Sequence, residues 1–121
     1  PFPLRYSPTN QQNRLHWAVQ LAAPGYMGQG IWSHWGIEYS NVLLALAGTR
    51  SAHSSTYLQQ ARQHLDCYRQ NMAKFGGYPE LYAGDGRPFQ TWALRAVLHT
   101  GWVVNYEAAC QRAAGLIKTG R

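Results

Sequence analysis

Apolar positions recur at three- and four-residue spacing along most of the chain, and no stretch alternates with period two. The pattern therefore predicts helices and no half-buried strand. Leu15, Ala18, Val19 and Ala22 mark a first helix that Thr9 or Asn10 can cap and that Pro24-Gly25 ends. A second helix runs from about His34 to Ala47, with Ser33 placed to cap it and Gly48 to stop it. A third, about Ser54 to Lys74, carries Leu58, Ala61, Leu65, Tyr68, Met72 and Phe75 on one face and Gln, Arg and His opposite. A fourth runs from about Thr91 to Leu116. Residues 1 to 8 hold three prolines and no period, and form an extended lead-in.

The second and fourth helices differ in kind from the others. Val42-Leu-Leu-Ala-Leu-Ala47 is apolar around its whole circumference, and so is most of Trp92 to Cys110, so both helices are expected to be buried on every side, with Trp92 and Trp102 in the core. The order half-wet, buried, half-wet, buried is that of helical hairpins, each laying an outer helix over an inner one. The fold class is all-α: two helical hairpins in one domain over residues 1 to 121. Two loops rich in glycine and aromatics, Tyr26 to Gly36 and Phe75 to Phe89, each lead from an outer helix into an inner one. They belong at the same end, which brings Trp32, Trp35, Tyr78, Glu80, Tyr82 and Asp85 near one another. If the helices form as expected, apolar surface stays uncovered. The chain is then expected as a homo-oligomer or against a partner chain, with Leu44, Val97 or Val104 at the contact.

Composition narrows the chemistry. At 121 residues, with 45% hydrophobic and 13% charged, the chain suits one packed unit. The net charge is +6, but its eleven Lys and Arg residues never adjoin, which disfavours nucleic acid as a partner. Cys67 and Cys110 lack ligand spacing and read as small core or near-core residues; none of His16, His34, His53, His64 or His99 has a partner at metal-ligand spacing. No metal or cofactor is expected. No apolar run approaches the ~18 residues of a membrane span, so a soluble chain is expected, with a lean toward the cytoplasm. A start without Met suggests a processed product or a piece of something longer.

The chain has five acidic residues, and two of them, Glu80 and Asp85, fall in the loop from Phe75 to Phe89. Glycines and prolines give that loop a defined path, and Tyr78 and Tyr82 flank Glu80. A carboxylate there can activate water, or else cap the next helix or pair with Arg87. Trp32, Trp35, Tyr78 and Tyr82 offer flat apolar faces to a sugar ring, although at least two of the four are expected to be mainly packing. Asp85 and Arg87 can bond sugar hydroxyls or pair with each other on a turn. Glu38, early in a helix expected to be buried, needs an Arg or His partner or a cavity.

Two motifs resemble a known family. Gly28-Gln-Gly-Ile-Trp32, running into a helix with Asn41 and Leu43-Leu-Ala-Leu46, is similar to the Gly-x-Ile-Trp region of six-hairpin, (α/α)6-toroid glycoside hydrolases, the group with trehalase-like, glucosidase-like and glycogen-debranching-type enzymes. Gly76-Gly-Tyr-Pro-Glu-Leu-Tyr82 followed by Asp85-Gly86 looks like the segment that supplies the general base in several of them. The resemblance covers roughly residues 26 to 110 and implies that Glu80 is the base, that carbohydrate is the partner, and that these are the last hairpins of such a toroid. Where the family places proline after the loop tryptophan, this chain has Ser33. The family's general acid lies on an earlier hairpin, so the chain would carry one of the two catalytic groups and alone be inactive. A helical interaction module that binds a protein or an acidic polymer is the competing expectation.

Overall fold

The computed structural model describes residues 16–26, 30–49 and 51–118. Among these residues four helices dominate: α1 (Trp17–Ala22), α2 (Ser33–Ala47), α3 (Ser54–Phe75) and α4 (Trp102–Lys118). Two short strands, β1 (Ile31–Trp32) and β2 (Leu81–Tyr82), pair antiparallel between them. The fold is all-α with a small strand ladder. The predicted lead-in and the predicted start of the first helix lie outside the described residues.

The core forms where α2, α3 and α4 meet. On α2 the buried positions are Ser33, Gly36, Ile37, Ser40, Leu43, Leu44 and Ala47, which is the three- and four-residue spacing of a single face. They meet Leu58, Ala61, Leu65 and Tyr68 of α3 and Ala109 and Ala113 of α4. Gly36 has a specific reason to lack a side chain: a Cβ there would collide with the Tyr68 phenol. That phenol lies across α2 and donates to the Ser33 carbonyl at 3.1 Å. At the end of α3, Gly76 takes φ +73° and its N–H bonds the Met72 carbonyl, the left-handed stop that glycine adopts at little cost.

Helix burial departs from the sequence expectation. α2 is not enclosed on all sides, since Val42 is 55% and Leu46 39% exposed opposite its core face. The predicted fourth helix starts about ten residues late, and the segment from Pro88 to Val97 folds back as a small meander. Tyr82 bridges Pro88, Gln90 bridges Arg95, the Ala96 N–H bonds the Phe89 carbonyl, and the Glu80 N–H bonds the Val97 carbonyl. Thr91 explains the miss. Its hydroxyl accepts from the N–H groups of Ala93 and Leu94 as a helix cap would, yet its own N–H bonds the Leu94 carbonyl at 2.7 Å and closes a turn.

Trp92 is consequently 81% exposed, and Trp102, at the true start of α4, is 36% exposed; neither is a core residue. α1 buries no residue, so it does not form the outer layer expected over α2. It is tied instead to the meander, through the Thr91 hydroxyl to the Ala22 carbonyl and the Trp92 indole N–H to the Leu21 carbonyl. Leu44 is fully buried and is not available for any contact, whereas Val97 and Val104 face solvent.

Candidate functional site

The two glycine-aromatic loops meet through a short strand pair. β1 and β2 place Ile31 opposite Tyr82 and Trp32 opposite Leu81. Ser33 then fastens the junction three ways: its N–H donates to the Glu80 carbonyl at 3.0 Å, its hydroxyl donates to the Pro79 carbonyl, and its own carbonyl accepts from Tyr68. A proline at this position could make neither of the first two bonds. The serine at this position is thus used by the fold. Glu80 is held on both backbone sides, by Ser33 and by Val97. It does not precede a helix, as the sequence suggested, because β2 and the meander follow it.

Around this junction lies a run of rings. His34 stacks on Trp102 at 5.0 Å and 23°, and sits 4.8 Å from Trp35 and 5.5 Å from Trp32; Tyr26 meets Trp32 edge-on at 5.2 Å. Trp35 is 44% exposed, so part of this side chain is open to solvent. Burial lowers the pKa of His34, while the charges of Glu80 and then Glu38 pull it the other way. Burial also raises the pKa of Tyr26, and the charge of Glu80 adds to that rise. The Glu80 carboxylate therefore acts on both Tyr26 and His34. The indole nitrogen of Trp32 and Nδ1 of His34 are buried without a hydrogen-bond partner among the described residues.

The other sequence candidates separate from this group. Tyr78 and Tyr82 are buried in the core and offer no face to a ligand, so two of the four aromatic candidates are packing residues. Tyr78 stacks on Tyr68 at 5.7 Å, and burial pushes the Tyr82 phenol up to about 12. Asp85 and Arg87 form the alternative turn pair: the Arg87 N–H bonds Asp85 Oδ1 at 3.0 Å and its Nε lies 3.7 Å from Oδ2. They line a separate cleft with Lys74, Phe89 and Arg95, to which Glu80, Trp32 and Trp35 do not contribute. Glu38 is exposed on α2 and needs no buried partner.

Sequence reasoning missed His34, Tyr26 and Trp102. The signal for His34 was its place two residues after Trp32 at the head of α2; for Trp102 it was hidden by reading the meander as helix. Among the described residues no three His, Cys, Asp or Glu side chains are grouped to hold a metal. Among the described residues no helix is long and apolar enough to cross a membrane. No protein-family model, curated protein or solved structure matches the chain.

Proposed function

We propose that the chain is a carbohydrate-facing helical unit of glycoside hydrolase type, in which Glu80 acts as general base. The observation that supports this reading is an acidic residue, Glu80, whose backbone is held on both sides and whose charge reaches His34 of an aromatic group. Trp35 and Trp102 supply ring faces for the apolar side of a pyranose, and Glu80 supplies the group that takes a proton from attacking water.

Glycoside hydrolysis takes two carboxyl groups on opposite sides of the scissile bond. Glu38 is the other carboxylate whose charge reaches His34, but it is exposed and lacks the apolar enclosure on which a general acid relies. The acid is therefore assigned to a partner segment or chain. On its own the unit binds neutral oligosaccharide and hydrolyses little of it, because a base without an acid loses the proton transfer to the leaving group.

Calorimetric titration with neutral oligosaccharides tests the reading. Saturable binding that Trp35→Ala or Trp102→Ala removes and Glu80→Gln retains supports it. No binding across the panel contradicts it. Hydrolysis by the isolated chain that Glu80→Gln abolishes would overturn the assignment of the acid elsewhere.

A second reading rests on the exposed apolar residues Val42, Leu46, Val97 and Val104, which suit a helical interaction module. Association without saccharide binding would favour it.

A further inference from the structure

We propose that the cleft between the end of α3 and the meander binds the oxyanion group of a small ring-bearing molecule. The cleft has a volume of about 650 Å³ and lies in the range of small-ligand sites. Its lining includes three cations, Lys74, Arg87 and Arg95, and one carboxylate, Asp85. That carboxylate is already taken up by Arg87. Lys74 holds its ammonium 5.1 Å from the centre of the Phe75 ring, and Arg95 has no ion pair among the described residues. The cleft thus carries an excess of positive charge that nothing within it balances.

The shape of the excess points to a small anion and not to a polymer. Phe75, Pro88, Phe89 and Leu98 line the cleft together with its cations, a mixed lining that fits a ring with one charged group. Basic residues elsewhere in the chain never adjoin and form no track for a phosphate backbone. Guanidinium groups match carboxylate and phosphate oxygens with paired N–H donors, so Arg87 and Arg95 are the recognition groups and Lys74 adds charge. The meander sets their positions: Arg87 follows the turn from Ala83, and Arg95 is held by its bridge to Gln90. The inference draws on the proposed function only in taking the ring to be a sugar; the oxyanion site itself stands apart from Glu80 and the tryptophans.

Calorimetry with glucuronate, glucose 6-phosphate and glucose separates the cases. The proposal expects saturable binding of at least one of the two anions to the Trp35→Ala variant, with none of glucose to that variant at the same concentrations. The preferred anion identifies the oxyanion as carboxylate or phosphate. Arg87→Gln and Arg95→Gln, both at exposed positions, should each weaken binding about tenfold or more. Asp85→Asn should strengthen it, because Arg87 is released from its internal partner. Glu80→Gln and Trp35→Ala should leave it unchanged, so loss of saccharide binding at the tryptophans and loss of the anion site are read independently. Binding of neither anion, or anion binding that persists in the Arg87→Gln, Arg95→Gln double variant, overturns the proposal. Anion binding lost on Trp35→Ala places it at the aromatic group and overturns it equally.

Discussion

Ser33 and Glu80 are joined by a backbone hydrogen bond of 3.0 Å, from the first residue of α2 to the candidate base. The bond makes the geometry of the site depend on a helix start far away in sequence. Proline is ordinarily well suited to a first helical position, where its missing N–H is not needed by the helix. Here the N–H is used outside the helix. Ser33→Pro should therefore destabilise the fold, and by more than Ser33→Ala, which loses only the hydroxyl bond to Pro79 and should cost about 1–3 kcal/mol. Urea unfolding of the two variants checks this order.

Gly36 and Tyr68 form a second obligate pair. Gly36→Ala drives a methyl group into the Tyr68 phenol and should cost about 1–3 kcal/mol as overpacking. Most of the collision is with the hydroxyl oxygen, so Tyr68→Phe in the Gly36→Ala background should recover part of the loss. In the wild-type background the same Tyr68→Phe change should only destabilise, since it removes the bond to Ser33. A double-mutant cycle measured by denaturation reports the difference in sign.

Stability should fall as the solution is acidified from pH 7 to pH 5. Burial lowers the folded-state pKa of His34 below its unfolded value of 6.5, and burial does the same to His64. For a depressed folded pKa the stabilising contribution is present above the unfolded value and lost as pH falls through the folded one. The charges of Glu80 and Glu38 reduce this effect without reversing it. His34→Phe keeps a ring against Trp102 and removes the proton site, so the pH slope of its unfolding midpoint should be shallower than that of the wild type.

The chain should associate at micromolar concentration. Val42, Leu46, Val97 and Val104 are each at least 39% exposed, and Trp92 is 81% exposed. Covering a few hundred Å² of such surface supplies several kcal/mol at about 25 cal/mol per Å², before the costs of association. Sedimentation should show a species larger than the monomer that Val42→Lys or Val104→Lys dissociates. A monomer at all concentrations would count against it.

Much of the helical layout was legible in the pattern of apolar positions, because α2 and α3 each follow one periodic face and end at glycine. The two loops were expected to meet and do, but through the β1–β2 pairing and not through the outer-to-inner layering from which the expectation was drawn, since α1 covers nothing and a meander follows the second loop. Burial was not. The run Val42 to Ala47 is apolar all round, but Leu43, Leu44 and Ala47 reach the core while Val42 and Leu46 do not. Periodicity shows which residues can share a face, and tertiary neighbours decide which face is covered. Thr91 misled for a local reason: its cap-like hydrogen bonds serve a helix start and a tight turn alike. At the site, Glu80, Trp32 and Trp35 stood out by residue type, whereas Tyr78 and Tyr82, each two positions from Glu80 in the same loop, were needed by the core. His34 was hidden because its partners, Trp102 and Glu80, come from distant parts of the chain.

The central claim is that a saccharide lies against the open rings beside Glu80. Amide and indole resonances followed by nuclear magnetic resonance during titration with a neutral oligosaccharide test it most directly. The account predicts saturable shifts at the indole N–H groups of Trp35 and Trp102 and at the backbone amides of His34 and Glu80, with the α3 amides from Gln59 to Arg69 unmoved. An unchanged spectrum, or shifts confined to residues away from Trp35, Trp102 and Glu80, would contradict it.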